Sequence, residues 1–143
     1  MTDQDCPLVS VCIPVYNGEE FLLEALDSVK KQIYPNLELI ISDDGSNDRS
    51  IEIIEHFLQE NHFPSTLVTN TDRGIGKNWN NCVRHATGKY IKFLFQDDLL
   101  FPDCISEMVA MAELDDAVGI LFSERTILMY EPNAAHVNSN KAN

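Results

Sequence analysis

Two pairs of adjacent aspartates carry the clearest chemistry in this chain. Asp97-Asp98 closes the apolar run Phe93-Leu94-Phe95-Gln96, and Asp43-Asp44 closes Leu39-Ile40-Ile41-Ser42. Neighbouring carboxylates projecting from a strand end can put one side chain on a divalent cation and the other on a ribose or phosphate. The plainer alternative is a polar strand terminus. The apolar setting of Asp97-Asp98, and the second acidic strand end, favour the binding reading. For Asp43-Asp44-Gly45-Ser46 the alternative is a turn, with Gly45 and Ser46 structural and Asp43, nearest the strand, the better ligand candidate. Arg73 and Lys77 flank Gly74-Ile75-Gly76 just before a helix, where cations and free amides suit an anion, although solvated basic side chains fit equally well. Tyr16 and Asn17 follow Pro14 and could form a wall for a flat base, or Tyr16 could pack in the core.

Other chemistries lack their signatures. The glycines do not complete G-x-G-x-x-G, because Trp79 occupies the third position, and no G-x-x-x-x-G-K-[ST] occurs. There is no G-x-S-x-G, and His56, His62, His85 and His136 share no metal-ligand spacing. The cysteines Cys6, Cys12, Cys82 and Cys104 are widely spaced, without C-x-x-C or a zinc pattern, and read as small apolar residues in a reducing compartment.

The elements that must position these residues alternate. Leu8–Ile13 reads as a buried strand stopped by Pro14, and Phe21 to Ile33 as a helix ended by Pro35. Leu37–Ile41 is a second strand, a helix carries Ile51, Ile54 and Leu58, and Ser65–Thr69 is a third strand. A helix over Lys77–Ala86 turns Trp79, Cys82 and Val83 inward, with Gly88 as its C-cap. Tyr90–Phe95 is a fourth strand, Pro102 opens a further helix, and Val118–Phe122 is a fifth strand. Asn133–Asn143 has no pattern and reads as a frayed tail. Such alternation predicts an α/β fold with a mainly parallel sheet of about five strands and helices on both faces. In such sheets ligands bind outside the carboxyl ends of the strands, where both aspartate pairs fall.

With 143 residues and 44% apolar content, the chain holds one domain and one core. Ten Lys and Arg against 23 Asp and Glu give a net charge of −13, which argues against a nucleic-acid partner. An acidic protein that holds a diphosphate must supply local positive charge, and a carboxylate-bound Mg²⁺ or Mn²⁺ does so. No apolar run approaches the ~20 residues of a transmembrane segment, and the start lacks a secretory signal's basic and apolar regions. The expected setting is the cytoplasm, with the inner face of the membrane as a variant.

Together these residues resemble the family-2 glycosyltransferases, which have the GT-A fold. The likeness is carried by Val9-Ser-Val-Cys-Ile-Pro-Val-Tyr-Asn-Gly18, Leu39-Ile-Ile-Ser-Asp-Asp-Gly-Ser-Asn-Asp48, the Asn70–Asn80 loop and helix start, and Ala86-Thr-Gly-Lys-Tyr-Ile91 leading into Gln96-Asp97-Asp98. The resemblance implies transfer of a sugar, in a setting such as polysaccharide biosynthesis, from a nucleotide-diphosphate donor, a UDP-sugar first, to a hydroxyl of a carbohydrate or lipid-linked acceptor. It implies that Pro14, Tyr16 and Asp43 contact the nucleoside, with Asp43 on the base edge and Asn17 among the nucleotide-sugar-binding residues. Arg73 assists, Asp97 contacts ribose or sugar-phosphate, and Asp98 holds Mg²⁺ or Mn²⁺. Two positions depart from the family pattern: Gln-Asp-Asp replaces Asp-x-Asp, and Trp79 stands where similar sequences often carry arginine.

The family's acceptor site and catalytic base lie beyond the acidic motif, and here only about 45 residues follow Asp98. Glu107, Glu113, Asp115, Asp116 and Glu124 lack the context of a general base, so the catalytic residue is unassigned. The expected organisation is a truncated nucleotide-sugar-binding domain over residues 1–123 and an irregular tail over 124–143. The alternative function is a non-catalytic nucleotide-sugar and metal-binding module completed by a partner chain or oligomer. A phospho-acceptor signalling domain would need an acidic pair after the first strand, where Pro14-Val15-Tyr16-Asn17 stands.

Overall fold

The computed structural model describes residues 6–129 and 138–140. Its elements run β1 (Val9–Val15), α1 (Leu22–Lys30), β2 (Leu37–Asp43), α2 (Ser50–Asn61), β3 (Ser65–Thr69), α3 (Ile75–His85), β4 (Tyr90–Phe93), α4 (Cys104–Ala112), β5 (Ile127–Met129) and β6 (Asn138–Asn140). The chain divides into two compact units, residues 1–107 and 108–143. The first holds a four-stranded sheet in the order β3-β2-β1-β4, with every neighbouring pair parallel. Parallel strands must be joined by crossovers, and right-handed crossovers put α1 and α2 on one face and α3 on the other. Every residue of β1 is accordingly buried, as is all of β2 except the half-buried Glu38.

The order of strands sets the position of a crevice. The chain first steps outward from β1 to β2 to β3, then returns through α3 to place β4 on the other side of β1. The reversal lies between β1 and β4, and the space beyond their carboxyl ends is left uncovered by either crossover.

Pro14 does not stop β1; the strand runs through it to Val15, with Pro14 opposite Ser42. Alternation explains why a proline is accepted there. Val9 N–H donates to Asn36 O, toward β2, and Cys12 O accepts from Leu94 N–H, toward β4. Even-numbered residues of β1 therefore face β4, whose ladder ends at Cys12–Phe93. The missing N–H of Pro14 points to a side where no strand remains.

The inner face of α3 also differs from its expected composition. Asn78, Asn81 and Cys82 are buried, while Trp79 and Val83 are partly exposed. The sheet end beneath the helix presents the Ser42 hydroxyl and the carbonyls of Val15 and Ser42, which need polar partners more than apolar cover. Lower down, Cys82 packs on Cys12 and Ile40, with Ala86 and Phe93 beside them. The hydrogen bond to Cys82, then burial, push the Cys12 thiol well above the ordinary range, so it stays a neutral packing group. Gly88 is not the C-cap of α3; Ala86 ends that helix in an extended conformation. Gly88 is needed for close approach instead, since a Cβ there would lie 2.7 Å from Leu8 O and 2.7 Å from Ser10 N.

In the second unit, Val118–Phe122 forms no strand, so the sheet has four strands rather than five. No strand among the described residues lies alongside this run to complete its backbone hydrogen bonds, and Ile120 and Phe122 are exposed. Within the stretch expected to be irregular, β5 and β6 pair antiparallel. The rest of the Asn133–Asn143 tail lies outside the described residues. No helix among the described residues is long and apolar enough to cross a membrane.

The amino end of the sheet carries a carboxylate clamp. Glu38 Oε1 accepts from Ser10 Oγ (2.5 Å), Thr87 N (2.7 Å) and Thr87 Oγ1 (3.0 Å), while Ser10 Oγ accepts from Gly88 N (2.8 Å). Burial alone would raise the Glu38 carboxyl, but these donors hold it below the ordinary glutamate range. A group lowered in the folded state stabilises fully above its unfolded pKa and loses that contribution as pH falls through the folded value. Urea unfolding followed from pH 7 to pH 3 is therefore expected to show a declining stability that Glu38→Gln makes shallower.

Candidate functional site

The crevice is a cleft of about 340 Å³ lined by Pro14, Val15, Tyr16, Asp44, Ile75, Asn78, Trp79, Phe95, Gln96 and Asp97. That volume is in the range of small-molecule sites, and its position matches the strand-order reversal.

The cleft is held open by side-chain amides that take over where strand pairing stops. Beyond Leu94 the backbone of β4 leaves β1, yet Tyr16 still presents its N–H and C=O to that side. Gln96 satisfies both: Tyr16 N–H donates to Gln96 Oε1 (2.9 Å), and Gln96 Nε2 donates to Tyr16 O (3.0 Å). The side chain thus acts as one more rung of the ladder, but longer, so the two backbones separate. Gly18 makes room for it, since a Cβ there would come within 2.6 Å of Gln96 Oε1.

On the other side of β1, Val15 O accepts from Asp44 N–H (2.9 Å) and Asn78 Nδ2 (3.2 Å). Asn78 Nδ2 also donates to Ser42 O (3.0 Å), and its Oδ1 accepts from Ser42 Oγ (2.6 Å). Asn81 Nδ2 completes the network on Ser42 Oγ (2.8 Å). All three side chains are buried, so the first turn of α3 is fixed above the ends of β1 and β2. That anchoring sets Ile75 and Trp79 at the cleft wall. Trp79 lies 4.9 Å from Phe95 and 5.7 Å from Phe93 between ring centroids, and remains 39% exposed.

The two aspartate pairs have different roles. Asp43 is only 3% exposed. Its Oδ2 accepts from Gly45 N (2.9 Å) and Ser46 N (3.0 Å), and its Oδ1 from Ser46 Oγ (2.5 Å), so it shapes the turn after β2. Asp44, passed over in the sequence, is the member that lines the cleft. Its carboxylate accepts from Asn70 Nδ2 (2.7 Å) and from Gly74 N (3.0 and 3.2 Å to the two oxygens), which fixes the loop before α3. Asp97 lines the cleft and Asp98 stands next to it in the turn closed by Asp98 N–H on Phe95 O. Both are exposed, and neither carboxylate has a protein hydrogen bond among the described residues.

The remaining expected residues fall around this frame. Pro14 and Tyr16 line the cleft. Asn17, at φ 48°, accepts from Asn47 N–H through Oδ1 (2.9 Å), and its own N–H donates to Ser46 Oγ (2.9 Å), so it joins the loops after β1 and β2. The exposed Arg73 guanidinium lies over Gly45, close enough that a Cβ would sit 2.5 Å from Nη2. It has no ion pair among the described residues, whereas Lys77 is paired with Asp72 at 2.6 Å. Gln96, Asn78 and Asp44 were the residues sequence reasoning missed. For Asn78 and Asn81 a signal existed, in two amides three positions apart on one helix face.

No three His, Cys, Asp or Glu side chains among the described residues gather as a complete metal cage. The two unengaged carboxylates of Asp97 and Asp98 do fit a hard cation that takes one or two protein oxygens and completes its shell with substrate phosphates.

The sequence matches the model of glycosyl transferase family 2 over residues 10–136. An uncharacterized glycosyltransferase of Haemophilus influenzae is 38% identical over 103 residues, which are 72% of this chain and 41% of that protein. A mannosyltransferase from Pyrobaculum calidifontis, solved in complex with GDP-Man and Mn²⁺, superposes with a TM-score of 0.72 and 29% identity over 77% of this chain and 33% of its own. S. aureus TarS, residues 1–349, gives a TM-score of 0.68 and 26% identity over 74% of this chain and 32% of its own. The chain thus spans about two fifths of the length of that H. influenzae relative and about a third of the two solved chains.

The two amides at the cleft should differ in weight. Asn78→Ala strands buried partners and is expected to cost roughly 2–4 kcal/mol, while Gln96→Ala, at the exposed rim, costs about 1 kcal/mol. Chemical denaturation of both variants checks the order; equal losses would contradict it.

Proposed function

The chain belongs to glycosyl transferase family 2, and from that membership we propose that its cleft binds a nucleotide-diphosphate sugar, with a divalent cation, for transfer of the sugar to an acceptor hydroxyl. The observation that carries this reading is the pair of unengaged carboxylates, Asp97 and Asp98, beside a cleft whose lining includes Tyr16, Trp79 and Phe95, at the β1–β4 reversal. A flat base suits the Tyr16 and Trp79 walls, and a ribose or sugar-phosphate suits Asp97. Asp98 would hold Mg²⁺ or Mn²⁺. The GDP-Man and Mn²⁺ held by the Pyrobaculum relative support the same pairing of ligand and cation here, with a UDP-sugar the first candidate donor.

Charge argues for the cation as well as for the ligand. A diphosphate brought beside Asp44, Asp97 and Asp98 meets three carboxylates, against Arg73 on the adjoining loop, a cation without an ion pair among the described residues. When bound, the cation supplies neutralisation of the negative charge that gathers on the departing nucleotide diphosphate as the anomeric C–O bond breaks. The protein's own part is to orient: Gln96 and Asn78 fix the cleft walls, and Asp97 receives the donor. The widely spaced cysteines, without C-x-x-C or a zinc pattern, support a reducing, cytoplasmic setting for this activity.

Isothermal titration of UDP into the protein, with Mg²⁺ and with EDTA, tests the reading. Binding is expected with the cation, and Asp98→Asn should lower affinity to the EDTA level, a loss on the order of 10-fold or more. UDP, GDP, CDP and dTDP all failing to bind in the presence of Mg²⁺ or Mn²⁺ would sink the proposal.

A further inference from the structure

Most hydrogen-bonding groups that line the cleft are already engaged by the protein itself. Gln96 uses its amide oxygen and nitrogen on Tyr16. Asn78 uses both ends on Ser42 and Val15. Asp44 Oδ1 accepts two bonds and its Oδ2 one. What remains on the lining side chains is the Tyr16 hydroxyl, the Trp79 indole N–H, the Asp97 carboxylate and one lone-pair position of Asp44. Asp43, whose place in the sequence suggested a contact to a base edge, has both oxygens committed to the Gly45-Ser46 turn.

Aromatic surface, by contrast, is plentiful and fixed. Trp79 is backed by Phe95 and Phe93, which are themselves stacked at 6.4 Å with an interplanar angle of 17°. One turn earlier on α3, Ile75 is 76% exposed beside it, and Tyr16, 51% exposed, lines the same cleft. The helix that carries Trp79 is pinned by the buried Asn78–Ser42–Asn81 network, so the indole is presented without a further ordering cost on binding.

We infer that the base of the bound nucleotide is held by stacking on the Trp79 indole, and that the cleft consequently tolerates different bases. The inference rests on the nucleotide reading above and deepens it. Every base has a π-face, so a stacking platform accepts all of them at similar strength. Strong discrimination requires protein groups left unpaired by the wrong ligand, and here the amides that would do this are paired within the protein. Trp79 is on this account the affinity-determining residue for the base.

Trp79 is the single tryptophan of the chain, so its fluorescence reports on this contact alone. Fluorescence and calorimetric titrations with UDP, GDP, CDP and dTDP, all in Mg²⁺, provide the test. Saturable quenching is expected with each, with Kd values within about tenfold of one another. Trp79→Ala should weaken all four by roughly 10- to 100-fold, and Trp79→Phe, which keeps an aromatic face and the packing on Phe95, by only a few-fold. Calorimetric binding without a change in fluorescence would overturn the inference and leave the nucleotide site standing. So would one base bound more than about a hundredfold tighter than the rest. If no nucleotide binds by calorimetry, the proposed function fails and the inference falls with it. Should Trp79→Ala fail to fold by circular dichroism, the wild-type titrations and Trp79→Phe decide.

Discussion

The hydrogen bonds around the carboxyl end of β1 are the constraint on which the rest of the site depends. A central parallel strand presents donors and acceptors to both sides, and these must be met wherever the strand is buried. At Cys12 the neighbour β4 still answers; at Pro14 there is no N–H to answer; at Tyr16 the neighbour has gone. Gln96 then pairs with Tyr16 through its side chain, and Asn78 reaches down from α3 to Val15. Because side-chain amides are longer than the backbone they replace, the strands diverge while the N–H and C=O of Tyr16 stay paired. The cleft is the space so created.

The same economy explains the division of labour among the polar residues. Asp43 and Asp44 are adjacent, yet both are consumed by backbone amides of turns, those of Gly45 and Ser46 and that of Gly74. Asn17 and Ser46 join the loops after β1 and β2. These groups hold the rim rigid. Asp97 and Asp98 differ in that nothing among the described residues answers them, and in a chain of net charge −13 two adjacent exposed carboxylates are unfavourable neighbours. On the proposed reading, a cation shared with a ligand's phosphate oxygens would relieve that repulsion.

Much of this was legible in the sequence because it follows from period and punctuation. The β-branched runs and helical stripes placed the four parallel strands and the four helices, and the rule that ligands sit at carboxyl ends directed attention to Tyr16 and Asp97. What was not legible depended on side chains meeting across the fold. Asp43 was preferred over Asp44 because it is nearer the strand, but which of two neighbours turns inward is decided by the turn that Gly45, at φ 83°, makes possible. Gln96 read as a variant of an acidic motif, whereas its partner is Tyr16, 80 residues away. The inward face of α3 was read in part: Cys82 is buried as expected, but apolar periodicity cannot anticipate a sheet end that needs the amides of Asn78 and Asn81. The run Val118–Phe122 has a strand's composition but no ladder beside it among the described residues.

On the proposed reading, a nucleoside diphosphate binds at the β1–β4 opening framed by Gln96 and Asn78. Residue-resolved amide chemical shifts, recorded on the isotopically labelled 16.2 kDa protein during a titration with UDP and Mg²⁺, test it most directly. The account predicts that the perturbed resonances cluster on the backbones of Tyr16, Asp44, Gln96 and Asp97, the side-chain amides of Asn78 and Gln96, and the Trp79 indole N–H. Perturbations confined to the amino end of the sheet, around Glu38, Thr87 and Gly88, would contradict it.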